Sequence, residues 1–145
     1  MPGPSSIRFD PEVLRRLTDY VAAHPGTTLS SAVSRLVDEA LRSHEHPLVF
    51  FRDGPAGRRA RLVGGPDVWQ VARAVRSARS EPGLTADDVV ALVVETSGVP
   101  EALVRAAIAY WATYGDEIDS LVARADEEES RASRRWAQEQ GLLAG

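Results

Sequence analysis

The stretch SSIRFDPEVLRRL, residues 5–17, decides how the rest of this 145-residue chain is read. Ser6, Ile7, Arg8 and Phe9 alternate polar with apolar, the period of a half-buried β-strand. Asp10-Pro11-Glu12 then opens a helix: Asp10 suits the N-cap, Pro11 the first helical position and Glu12 the positive end of the dipole. Val13, Leu14, Leu17, Tyr20 and Val21 recur at helical spacing until Pro25-Gly26. A second helix follows Thr27-Thr28, with Leu29, Val33, Leu36, Val37, Ala40 and Leu41 on one stripe. It fades at RSHEHP, where Pro47 disfavours helix at His46, so a first domain spans residues 1–46.

Strand, helix and helix in some 43 residues are too few to bury their own apolar stripes. The strand also has no partner within the unit, which leaves backbone donors and acceptors unmatched. Two copies of the chain solve both problems by pairing their strands antiparallel across a two-fold axis and interlocking their helices. Ile7, Phe9, Leu36 and Val37 then bury the dimer interface, while Ser6 and Arg8 face outward on a ribbon that fits the major groove of B-DNA.

Charge is divided unevenly. Residues 1–46 hold 5 Arg against 6 acids, residues 47–80 hold 7 against 2, and residues 81–145 hold 5 against 13. The segments therefore carry −1, +5 and −8, and the total of −4 argues against a generic nucleic-acid binder. A basic middle and an acidic C-terminal part facing different partners is the functional reading; uneven solvation of surface faces is the plain one. All 17 basic residues are Arg. The absence of Cys excludes disulfides and thiolate metal sites and points to a reducing cytoplasm. The longest aliphatic run, VVALVV at residues 89–94, is too short to span a bilayer, and MPGPSS lacks the basic flank and apolar core of a signal peptide.

The second segment, residues 47–118, opens with LVFFRDGPAGRRARLV. Two strands, 48–51 and 58–63, are predicted there, joined through Asp53-Gly54-Pro55-Ala56-Gly57. The glycines do not have phosphate-loop spacing, and no Lys exists to reach a phosphate. Arg52, Arg58, Arg59 and Arg61 point to nucleic acid or an acidic protein surface, or to a solvated hairpin. A helix with Pro66 near its first position carries the stripe Val68, Val71, Ala72 and Val75, with Trp69 in the core and Arg73, Arg76 and Arg79 on one broad face. Thr85 to Asp88 start a further helix with a capping-box pattern, and Pro100 opens another that runs to Tyr114. This pair reads as helix-turn-helix. Glu101, Ala102 and Arg105 at the front of its second helix are a poor phosphate-binding set, which favours a structural or protein-contact role.

Gly115 suits the end of that helix and Asp116 the cap of the next, so residues 119–145 form a C-terminal helical tail. Ile118, Leu121, Val122 and Ala125 continue an apolar stripe, but charge dominates from Asp126 to Arg135. Trp136, Leu142 and Leu143 stand as large apolar residues in polar sequence beside Arg134 and Arg135, a composition typical of interface anchors. The alternative is a tail that folds back on its own dimer.

SIRFDPEVLRRLTDYV, a Gly-containing turn and TTLSSAVSRLVDEALR resemble the ribbon-helix-helix (CopG/Arc-like) family over residues 5–43. The resemblance implies that Ser6 and Arg8 read bases and that Thr27, Thr28 and Ser30, at the start of the second helix, clamp a phosphate. The ribbon carries a single Arg per chain, so dimerisation alone is the alternative role. GRRARLVGGPDVWQVARAV, TSGVPEALVRAAIAYWATY and DEID resemble a small helix-turn-helix-like antitoxin domain. Together the two halves resemble VapB-like type II antitoxins. That implies a homodimer, operator DNA and a PIN-like ribonuclease toxin as partners, with Arg134, Arg135, Trp136, Leu142 and Leu143 as the toxin-binding residues.

For enzymatic chemistry the chain offers little. His44-Glu45-His46 is the one metal-like cluster, and no third separate ligand motif completes it. There is no Cys nucleophile and no G-x-S-x-G elbow. Asp116, Glu117 and Asp119 suit Mg²⁺ or, more simply, a helix N-terminus. The reading is a mostly α, cytoplasmic, non-enzymatic dimer without cofactor or metal. It comprises the ribbon-helix-helix, a β-hairpin with a helix-turn-helix-like bundle, and the tail. A regulator without a toxin and a small metal-dependent hydrolase are the alternatives.

Overall fold

The computed structural model describes residues 3–55 and 57–145. Met1 and Pro2, and the expected turn residue Ala56, lie outside them. The chain divides into two compact units, Met1–His44 and Glu45–Gly145. The described residues form six helices and one antiparallel hairpin.

In the first unit α1 spans Pro11–Ala23 and α2 spans Leu29–Glu45. Asp10 caps α1 by accepting a 2.9 Å hydrogen bond from the Glu12 amide, with Pro11 as the first helical residue. At the start of α2, Thr28 and Ser31 cap reciprocally: each side chain accepts from the other's backbone N–H at 3.1 Å. The expected strand at Ser6–Phe9 is absent, and residues 3–10 have no regular secondary structure. A ladder needs a second strand, and the two strands among the described residues, at 49–54 and 57–62, pair with each other. Ile7 accordingly faces solvent at 68% exposure instead of covering the helices, and Phe9 is half-buried.

The second unit starts with β1, Val49–Gly54, and β2, Gly57–Leu62, in register Val49↔Leu62 through Gly54↔Gly57. Their inward side chains Val49, Ala60 and Leu62 are buried. Helix α3, Val68–Arg79, lies at the centre and buries Val68, Val71, Ala72, Val75 and Ala78. Pro66 is not near its first position as expected: Asp67 is the N-cap, and Pro66 belongs to the preceding turn, in which its carbonyl accepts from the Leu62 amide at 3.0 Å. Helix α4, Ala86–Ser97, begins with the expected Thr85–Asp88 capping box and ends at Gly98, whose φ of 73° is left-handed backbone that suits glycine. Helix α5 spans Glu101–Thr113 and α6 spans Gly115–Ala144. Gly115 and Asp116 do not separate these helices as expected. Tyr114, with φ −118° and ψ 49°, is the break, and Gly115 already belongs to α6.

Tyr110 is the largest fully buried side chain. Its ring meets those of His46, Phe51 and Tyr114, and its hydroxyl lies 2.7 Å from the Glu117 carboxylate. Trp69 sits at the edge of the core, half-buried, with its indole N–H 3.2 Å from Asp67.

Burial along α6 is uneven, and this sets a test. Ile118 is fully buried, whereas Leu143 is 79% exposed. Ile118→Ala is expected to cost about 2–5 kcal/mol, and Leu143→Ala no more than about 0.5 kcal/mol. Urea unfolding of the two variants checks this; equal effects would show that the tail is packed.

Candidate functional site

The first unit leaves its apolar surface uncovered. No residue of α1 is buried, and α2 buries only Ala32 and Glu39 among the described residues. Val37 is 52% exposed and Leu41 57%; Val13, Leu14 and Leu29 are also exposed, and Leu36 is half-buried. Sequence periodicity located this stripe but missed Ala32 and Glu39, because a carboxylate seven residues from an alanine gives no apolar signal. Tyr20 joins the two helices: Arg35 donates to its hydroxyl and lies 5.8 Å from its ring centroid. Ser6 and Arg8 are exposed on the irregular N-terminal segment. Thr27, Thr28 and Ser30 come together at the start of α2, where the Thr28 hydroxyl is already used by the cap.

The arginines of the middle segment turn inward. Arg59 pairs with buried Asp67, and its guanidinium lies flat over Gly54, where a Cβ would meet it at 2.6 Å. Arg58 pairs with Asp53 at 3.4 Å, and Arg61 donates to the Gly65 carbonyl at 3.3 Å. Arg52 remains exposed. On α3, Arg73 pairs with Asp126 at 2.8 Å and with Glu129. Arg76 pairs with Asp119 at 2.6 Å and stands 5.5 Å from the centroid of Trp111, whose indole N–H also donates to Asp119. Arg73 and Arg76 thus join the basic middle to the acidic C-terminal part, while Arg58 and Arg59 pair within the middle itself. A nucleic-acid role for the hairpin loses most of its free cations. In the helix-turn-helix-like pair, Arg105 is held by Glu101 at 2.9 Å and Asp87 at 3.3 Å, which removes the one cation near the front of α5.

Glu45 accepts from the Tyr114 hydroxyl at 2.9 Å, and His46 packs edge-on against Tyr110 and Tyr114. These contacts give the His44-Glu45-His46 cluster a structural use. Among the described residues no three His, Cys, Asp or Glu side chains stand together as metal ligands. No helix among the described residues is long and apolar enough to cross a membrane.

From Asp126 to Gly145 every residue is exposed, yet α6 continues through Ala144. Helical rotation places Ala132, Trp136 and Leu143 on the face that carries Ile118 and Val122 in the core. The seam that packs on the body therefore runs on past it. Trp136 is 64% exposed and Leu142 84%, with Arg134 and Arg135 beside them also exposed. A groove of about 570 Å³, unforeseen in the sequence, lies between α3, α4 and α5. Val75, Leu84, Val90, Ile108 and Trp111 line it, with Arg79 at its edge. It escaped sequence reading because its wall residues come from three helices, each also contributing to the core.

No family model, curated protein or solved structure matches this chain.

The exposed part of α6 is stabilised locally. Arg131 donates to Glu127 at 2.6 Å, the i,i+4 arrangement with the acid N-terminal to the base. That hydrogen bond, with the charges of Arg131 and Arg134, holds the Glu127 carboxyl below its ordinary range. A lowered carboxylate contributes helix stability above its unfolded value and loses it as pH falls through the lowered one. In an acid titration followed by side-chain ¹³C NMR, Glu127 is expected to titrate below the ordinary glutamate range, and Arg131→Ala to bring it back. An unchanged Glu127 midpoint in that variant would remove the pair as a support of the helix.

Proposed function

We propose that this chain is the antitoxin of a type II toxin–antitoxin pair, whose two units do separate work. The observation that carries the reading is the last five turns of α6, a formed helix whose side chains are all exposed and include Trp136, Leu142 and Leu143. A monomeric protein gains nothing from holding such a helix in water, whereas a partner cleft gains a preformed anchor. Arg134 and Arg135 beside Trp136 suit a cleft with an acidic rim. The carboxylate-rich centre of a PIN-like ribonuclease is such a cleft, and it is the partner that the likeness to VapB-like antitoxins implies.

The first unit is proposed as a ribbon-helix-helix dimer. The uncovered stripe of Val13, Leu14, Val37 and Leu41 supports this reading, because a second copy would bury it. In such a dimer the segment Ser6–Phe9 gains the strand partner that a single chain lacks. Arg8 and Ser6 then meet operator bases, and Thr27, Thr28 and Ser30 a phosphate. Phe9→Ala removes a ring that the dimer would bury, at a cost of roughly 3–5 kcal/mol. Sedimentation of that variant is expected to show monomer or aggregate, and a stable dimer would rule the ribbon out.

Truncation after Ala125 separates the two activities. The shortened chain is expected to keep operator binding and to lose rescue of cells arrested by a toxin encoded beside it. Full rescue by the shortened chain would move neutralisation away from α6. If the full chain binds an operator but rescues no neighbouring toxin, the protein is a transcription regulator alone.

A further inference from the structure

We propose that in the free protein the later turns of α6 pair antiparallel with the same turns of a second copy, across a two-fold axis between residues 131 and 132. The inference concerns the chain by itself and does not rest on the existence of a toxin.

One stripe of α6 is complementary to itself. In chain order it carries Leu121, Arg124, Glu128, Arg135, Glu139 and Leu142. At about 3.6 residues per turn these six side chains share an arc of roughly 60°. Their spacings are three, four, seven, four and three residues, the same read from either end. Turned end over end, the stripe lays Leu121 of one copy against Leu142 of the other, Arg124 against Glu139 and Glu128 against Arg135. The two-fold axis makes each contact twice. Every cation of the stripe then meets an acid, whereas a parallel pairing in register would set Arg against Arg and Glu against Glu. Arg131 and Ala132 flank the axis. The small Ala132 lets the two helices approach, and the charge of Arg131 is met within its own helix by Glu127 at 2.6 Å.

The stripe is open along its length. Arg124 and every residue from Asp126 onward are exposed. Leu121, its one half-buried member, lines a hollow of about 240 Å³ with Ala125 and Trp69, and Arg124 and Glu128 belong to the same lining. Leu142, 84% exposed in the single chain, meets these apolar walls in a second copy, beside the Arg124–Glu139 pair. The chain's own Leu142 cannot fill the hollow. Helix α6 is continuous from Gly115 to Ala144. At 1.5 Å per residue Leu142 therefore stands about 30 Å from Leu121 along the same rod.

The chain has no Cys, so single thiols in the full-length protein report the geometry without background. Ala132→Cys, next to the axis, is expected to form a disulfide with its own copy under mild oxidation. Arg124→Cys and Glu139→Cys, mixed, are expected to link to each other and neither to itself. Equal positions of these two lie about 22 Å apart along an antiparallel pair, beyond the reach of a disulfide. In the Ala132→Cys chain, Arg135→Glu should lower the yield about tenfold, the effect of turning two partly exposed ion pairs into repulsions. Glu128→Arg added to that chain should restore it. A self-link at Leu142→Cys, the mark of a parallel pair, would overturn the proposal. So would no link at residue 132, a yield indifferent to Arg135→Glu, or a link that forms only when a different protein is added.

Discussion

Burial of α3 is the constraint on which the C-terminal unit depends. Five apolar side chains from Val68 to Ala78 enter the core, and they meet β2, α4, α5 and α6. Each of those elements uses α3 to bury its own stripe; without it, Leu62, Val93, Val104 and Ile118 would lose their shared floor. Hydrophobic burial holds the centre, and polar contacts set direction at its margin. Arg73 and Arg76 leave the exposed side of α3 and reach the acidic side of α6. Exposed ion pairs of this kind contribute up to about 1 kcal/mol each, too little to hold α6 in place. Ile118 and Val122 do that, and the arginines fix which way the helix leaves the body.

The fold was legible where one chain can satisfy its own requirements. The hairpin, the capping box at Thr85–Asp88, the stripe of α3 and the mostly helical architecture follow from turn chemistry and periodicity over a few residues. The strand at Ser6–Phe9 did not follow, since alternation states only that one face would be buried if a neighbour existed. Helix α3 starts at Val68 and not at Pro66 because a local turn, closed by the Leu62 amide on the Pro66 carbonyl, competes with helix initiation. At Gly115 the usual signal for a helix end misled, because buried Tyr110 and Ile118 on either side let Tyr114 take up the change of direction.

Less of the candidate site was legible. The charge asymmetry of +5 against −8 is plain in the sequence, where it is compatible both with two surfaces for two partners and with uneven solvation. Part of it is one surface, closed on itself by Arg73 and Arg76. Composition cannot distinguish these outcomes, because net charge per segment carries no information about which helices become neighbours. The stranded Trp136 and Leu142-Leu143 were visible because they break a polar run, a local signal that survives folding. The α3–α4–α5 groove was invisible for the opposite reason, being a property of three helices at once.

Both uncovered surfaces lie on amphipathic helices that are already formed, and this bears on how the chain would recognise anything. A segment that orders only on binding forfeits part of its contact energy to conformational entropy, roughly 1–2 kcal/mol per backbone residue. Helix α6 avoids that cost because its first three turns are part of a folded core and supply the nucleus, the costly step in helix formation. The remaining turns need only propagate, helped by pairs such as Glu127–Arg131. A Trp, two Leu and three Arg then sit at fixed spacing along a rod anchored to a folded body. That arrangement makes recognition a matter of matching the order of apolar and charged groups along a groove.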